Sequence, residues 1–73
     1  MTEPSLPQLH ACIRDVPDFP KPGIVFKDIT PLLLDPVAFR SVIKKMAREV
    51  EALKIDRVVS IESRGFIFGS ALA

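Results

Sequence analysis

The sequence predicts an α/β fold built on a parallel sheet, and three observations lead there. A proline-free second half carries apolar residues at spacings of three and four. A β-branched run follows directly, and a charged turn then hands the chain to another apolar helix. Sheets of this kind bind ligands beyond the carboxyl ends of their strands. One strong strand cannot complete such a sheet, and the last helix reaches Ala73 still apolar and without a stop signal. The chain is therefore expected to be the N-terminal piece of a longer protein.

All seven prolines lie within residues 1–36, so the chain changes character near Asp35-Pro36 and divides into residues 1–34 and 35–73. In the first part, Ser5 with Gln8 three positions on makes a capping box ahead of Leu9 and Ile13, which predicts a short helix from Leu6 to Arg14. Val16 to Gly23 contains three prolines that fix φ and withhold amide donors; an ordered, non-regular loop is expected. Ile24-Val25-Phe26 is a short strand candidate after the Gly23 turn.

In the second part, Asp35 can cap and Pro36 suits a first helical position. Phe39, Val42, Ile43, Met46, Val50 and Leu53 then form one apolar stripe, predicting an amphipathic helix over 36–54. Its other face, with Arg40, Lys44, Lys45, Arg48, Glu49, Glu51 and Lys54, mixes both signs and reads as a solvated surface. Arg57 to Ile61 reads as a buried strand and Phe66 to Ala73 as the opening of a further helix.

Composition narrows the function. Ten Lys and Arg stand against nine Asp and Glu in 73 residues, 48% of them hydrophobic, which describes a near-neutral globular domain. The net charge of +1 argues against a general nucleic-acid or membrane binder, so a bound anion should be small. No apolar stretch approaches the roughly 18 residues of a membrane span. The N-terminus lacks a secretory signal, and the one cysteine, Cys12, cannot form an internal bridge; a cytoplasmic protein is expected. A single core of this size nets only about 3–5 kcal/mol, so stability should come from more protein.

Two segments carry chemistry. In Ile61-Glu62-Ser63-Arg64-Gly65-Phe66 a strand delivers an Arg and a Gly to a helix N-terminus. Free amides, the helix dipole and a guanidinium able to fork onto two oxygens can together hold an anion. Gly65 would let the backbone approach a phosphate closely or take an angle barred to other residues. Ordinary surface charges at a strand end are the alternative reading of Glu62 and Arg64. The glycine spacing fits neither a Walker loop nor a dinucleotide fingerprint. The second segment, Pro17 to Thr30, presents Phe19, Val25 and Phe26 beside Lys21, Lys27 and Asp28, which suits an apolar slot for a flat heterocycle or, alternatively, a packed flap without ligand. His10 and Cys12 have no further metal ligand nearby and read as packing or surface residues. No nucleophile and base pair suggests a hydrolase.

The run Ile13-Arg14-Asp15-Val16-Pro17-Asp18-Phe19-Pro20-Lys21-Pro22-Gly23-Ile24-Val25-Phe26-Lys27-Asp28-Ile29-Thr30, followed by Glu62-Ser63-Arg64-Gly65-Phe66-Ile67-Phe68-Gly69, resembles the adenine phosphoribosyltransferase family over about residues 13–73. The resemblance implies a type I phosphoribosyltransferase-like parallel sheet with an N-terminal hood, incomplete in these 73 residues. Residues 1–34 would be the hood segment on the adenine side and 35–73 the first part of the α/β core. It implies transfer of the phosphoribosyl group from phosphoribosyl pyrophosphate (PRPP) to adenine, giving AMP and pyrophosphate with substrate-bound Mg2+, by a homodimer. Residue by residue, Ser63, Arg64 and Gly65 match the family's pyrophosphate loop, where Arg64 stabilises the leaving group and a non-proline cis peptide is expected. Val25, Phe26 and Lys27 match the adenine-facing hood: backbone atoms of Val25 and Lys27 would read the base edge and Phe26 would wall the slot. No protein metal ligand is implied. Lys27 departs from the Arg of many family members, and the family's PRPP signature and catalytic loop would lie beyond Ala73, so the 73 residues alone are expected to be inactive. A transferase for another purine and a PRPP- or purine-binding regulator on the same core are the rival readings.

Overall fold

The computed structural model describes residues 3–73. These form two compact units, one ending at Arg40 and one spanning Ser41–Ala73.

In the first unit, α1 (Leu6–His10) starts on the predicted capping box. Ser5 Oγ accepts from the Gln8 amide at 3.3 Å, and the Ser5 amide donates to Gln8 Oε1 at 2.7 Å. The helix stops at His10 rather than Arg14. Cys12 and Ile13 donate to carbonyls only three residues back, and Arg14 is already committed to a strand. That strand, β1 (Arg14–Pro17), takes in the end of the expected helix at Arg14 and the start of the expected loop at Val16 and Pro17, while β2 (Val25–Asp28) begins one residue later than the Ile24 start and runs further. The two pair antiparallel, with Arg14 opposite Asp28, Asp15 opposite Lys27, Val16 opposite Phe26 and Pro17 opposite Val25. The three prolines obscured β1: Pro17 is tolerated at its last position, where no donor is required.

The connecting loop is ordered as expected. Asp18 adopts φ 56° and accepts the Gly23 amide through Oδ1 at 2.9 Å, and Gly23 itself takes φ 87°. Phe19 donates to the Ile24 carbonyl at 3.1 Å, and the Phe19-Pro20 bond is cis. A short helix that the apolar pattern did not predict, α2 (Thr30–Leu34), follows β2. Leu9, Leu32 and Ala38 are the buried apolar residues among those described.

Helix α3 (Pro36–Val50) begins where Asp35 Oδ1 accepts the amides of Val37 and Ala38 at 3.0 and 3.1 Å, so the predicted cap forms. A tighter turn, Glu51–Leu53, and a left-handed Lys54 end it. The buried positions are Ala38 and Ser41, while Met46 and Leu53 of the predicted stripe are exposed.

Residues 57–61 differ from expectation. Among the described residues they pair with no strand, and the only sheet is the antiparallel β1-β2 ribbon, so the parallel sheet is not formed here. A strand requires a neighbour for its backbone groups and for its faces; Val59 and Ile61 are 92% and 84% exposed. The chain ends in α4 (Arg64–Leu72), which starts two residues before Phe66.

Candidate functional site

Position 64 opens α4 directly after a two-residue turn, Glu62-Ser63, whose peptide bond is cis as the family resemblance implied. Ser63 is the residue before the helix, and its side chain makes no capping bond. Its carbonyl accepts the Phe66 amide at 3.1 Å. The structure therefore brings Ser63, Arg64 and Gly65 together at the start of a nine-residue helix, whose dipole favours negative charge there. Gly65 has no positive φ, so of its two expected roles the unusual backbone angle is excluded. A Cβ there would meet the Ser60 side chain at 3.7 Å, an ordinary contact.

Gly69 has the sharper steric reason, one turn further on. A Cβ at that position would collide with Ser60 Oγ and lie 3.1 Å from Ser60 Cβ and 3.6 Å from Val58 Cγ1. Glycine is what lets α4 lie against the segment leading into the turn. The signal was in the sequence as a second glycine four residues after Gly65, one helical turn away.

The second candidate region is the hairpin. Pro17 has no amide hydrogen, so Pro17 and Val25 cannot exchange the two hydrogen bonds of a bonded pair. Bonded and non-bonded pairs alternate along an antiparallel ribbon. Arg14 with Asp28 and Val16 with Phe26 are therefore the bonded pairs, and the N–H and C=O groups of Val25 and Lys27 point to the outer edge of β2. No third strand occupies that edge among the described residues. A proline in one strand thus orients two residues of the other.

Side chains alternate in the same register. Lys27 shares a face with Asp15, and its Nζ lies 2.5 Å from Asp15 Oδ1. Phe26 lies on the opposite face, half-buried, with its ring edge-on to Phe19 at 5.3 Å between centroids and 72° between planes. Beyond it, Asp28 accepts from Arg14 Nε and Nη2 on Oδ2, at 3.1 and 2.7 Å. Asp28 Oδ1 accepts the Thr30 amide and hydroxyl at 2.9 and 2.8 Å. The Thr30 amide, its hydroxyl and the Arg14 guanidinium, in that order, hold the Asp28 carboxyl below its ordinary range.

Sequence reasoning named Lys27 and Asp28 without their partners Arg14 and Asp15. The available signal was mirrored charge, since Arg14-Asp15 read forward meets Asp28-Lys27 read backward. The hairpin and the Arg64 turn lie in separate units. His10 is exposed, Cys12 is half-buried with Sγ 3.6 Å from the Gln8 carbonyl, and no group of three metal-binding side chains occurs among the described residues. No helix among them is long and apolar enough to cross a membrane.

No protein-family model matches the chain. Curated relatives do: the adenine phosphoribosyltransferase of Synechococcus sp. strain JA-3-3Ab is 61% identical over 66 residues, covering 89% of this chain and 38% of that protein. Among solved structures, the adenine phosphoribosyltransferase of Thermoanaerobacter pseudethanolicus superposes with a TM-score of 0.89 at 47% identity, over 93% of this chain and 40% of the other. That of Saccharomyces cerevisiae, complexed with adenine and an imino-altritol bisphosphate, gives 0.86 at 37% identity over 92% and 42%. The chain thus spans about two fifths of the length of the curated relatives it matches. Sequence and backbone agree along nearly the whole of it, and throughout that length the chain is similar to the adenine phosphoribosyltransferases.

Proposed function

We propose that an enzyme carrying this chain transfers the phosphoribosyl group of PRPP to adenine, yielding AMP and pyrophosphate. The observation that carries the reading is the likeness to the yeast enzyme solved with adenine and a bisphosphate imino sugar, which extends over 92% of this chain. In the complete enzyme the chain would supply the hood and the first part of a type I phosphoribosyltransferase core, divided near residues 34 and 35.

Cleaving the bond from ribose C1 to pyrophosphate develops negative charge on the leaving group and positive charge on the ribose. Donors fixed at the leaving phosphates therefore stabilise the transition state more than the ground state. Arg64 at the start of α4, with Ser63 and Gly65 beside it, suits that role, because its fork can bond two oxygens while the helix end favours the anion. Mg2+ enters with PRPP as part of the substrate, held by phosphate oxygens and water.

Adenine presents an exocyclic amine and an adjacent bare ring nitrogen. A carbonyl and an amide on the outer edge of β2, from Val25 and Lys27, match that pair of groups. The ion pair of Lys27 with Asp15 supports reading by backbone, since the side chain is engaged across the ribbon. Phe26, braced by Phe19, supplies a flat apolar wall. On the same reading the complete enzyme is a cytoplasmic homodimer.

The test is kcat/KM for adenine, hypoxanthine and guanine. The two oxopurines reverse both donor and acceptor, and rejection by about 10⁴ or more is expected. Lys27→Ala should keep the preference. Comparable use of hypoxanthine, or a switch of preference in Lys27→Ala, refutes the base-reading assignment. Purine or PRPP binding without turnover would favour a regulator.

A further inference from the structure

The Asp28 carboxylate divides its work between two elements. Through Oδ2 it receives both Nε and Nη2 of Arg14, its partner across the ribbon, and through Oδ1 it receives the amide and hydroxyl of Thr30 at the start of α2. Its side chain is only 13% exposed, against 67% for Arg14. Two consequences follow for the residue just before it. A two-stranded ribbon is marginal by itself, and a slip of one residue would exchange its faces and turn the outward backbone groups inward. The Arg14–Asp28 pair closes the end of the ribbon in one register, and the Thr30 bonds fix where β2 stops. Both act one residue from Lys27.

We propose that Asp28, held by Arg14, is the positioning residue of the base-reading edge: it acts through the backbone of Lys27 and sets the enzyme's KM for the purine rather than for PRPP. This rests on the assignment of Val25 and Lys27 to base reading. Asp28 touches no substrate in this role. Its two oxygens are already occupied by protein donors, and what it contributes is the angle and distance at which the neighbouring amide and carbonyl are presented.

The experiment is steady-state kinetics of the complete enzyme with adenine and PRPP varied separately, for the parent, Asp28→Asn, Arg14→Met, Arg14→Lys and Phe26→Ala. Asp28→Asn should raise KM for adenine about ten-fold while KM for PRPP stays within about two-fold, the split expected when only one substrate's binding is disturbed. Arg14→Met should move KM for adenine in the same direction by less, and Arg14→Lys should recover part of it. Should Asp28→Asn prove insoluble, Arg14→Met decides by the same split, because its side chain is largely in solvent. Equal rises in both KM values, or no change in either, would show Asp28 to be a fold residue only and overturn the proposal. If Phe26→Ala raises KM for adenine and the Asp28 and Arg14 variants do not, base reading stands and positioning fails. If Phe26→Ala leaves KM for adenine unchanged, the base-reading assignment falls and the positioning role falls with it.

Discussion

Arg64 and Asp28 are both charged residues at an element boundary, yet their surroundings give them different work. Arg64 opens α4 where an anion is favoured, so its removal should be felt in catalysis. In the complete enzyme, Arg64→Ala should lower kcat/KM for PRPP by about 10² to 10³, the scale for one preorganised donor at developing charge. Arg64→Lys should recover only part of the loss, because an ammonium cannot fork onto two oxygens. Activity of Arg64→Ala within a few-fold of the parent would remove it from the leaving-group site. Asp28 is satisfied internally, so its removal should also be felt in acid stability. The bonds from Thr30 and Arg14 favour its ionised form and place its folded pKa below the ordinary 3.8. Folded protein therefore binds that proton more weakly than unfolded protein. The stabilisation is complete above the ordinary value and is lost as pH falls through the depressed one. Asp28→Asn should consequently lose less stability than the parent on acidification below about pH 4, measured by denaturant unfolding at a series of pH values.

At the scale of elements, α4 and the hairpin are each shaped by a residue lacking a common group. Pro17 lacks a donor and thereby fixes which backbone groups of β2 face outward. Gly69 lacks a Cβ and thereby lets α4 approach Ser60. Gly69→Val should destabilise the complete enzyme by about 1–3 kcal/mol, the usual range for overpacking. Ser60→Gly in the same background should restore part of that loss, since Ser60 provides the nearest obstructing atoms. Gly65→Ala makes a contrast within the same helix. Its Cβ would find ordinary contact at 3.7 Å, so stability should change by less than about 0.5 kcal/mol. A rise in KM for PRPP in that variant would then report close phosphate approach rather than a damaged fold. Chemical denaturation and kinetics on the same preparations separate the two effects.

For the molecule as a whole, the balance of buried and exposed apolar surface is unusual. Only Leu9, Leu32 and Ala38 are buried apolar residues among those described, whereas Leu34, Val59 and Ile61 are each more than 80% exposed. Further large apolar side chains, among them Leu6, Leu53 and Phe66, are over half exposed. Covering each such side chain with further protein is worth about 1.5–3 kcal/mol. The 73-residue polypeptide by itself should therefore associate or bind apolar dyes, without a sharp thermal transition in dilute solution. A cooperative, concentration-independent melt would contradict this.

What could be read from the sequence alone depended on interactions of short range. The capping box of α1, the Asp35 cap and Pro36 start of α3, the Gly23 turn and the opening of α4 near Arg64 all formed, because each rests on groups within about five residues and on intrinsic backbone preference. Tertiary structure decided where distant groups compete for the same backbone. Arg14 left the predicted helix because Asp28, fourteen residues away, offers it a strand partner. Residues 57–61 have strong β-branched character and still form no strand, since propensity supplies no hydrogen-bond partner. The outer edge of β2, proposed above to read the base, belongs to the same class: Val25, Phe26 and Lys27 stand out in the sequence, but which of their backbone groups face outward depends on a proline in another strand. A cap is complete within one turn of helix, whereas a strand and its edge exist only once a second segment has been brought alongside.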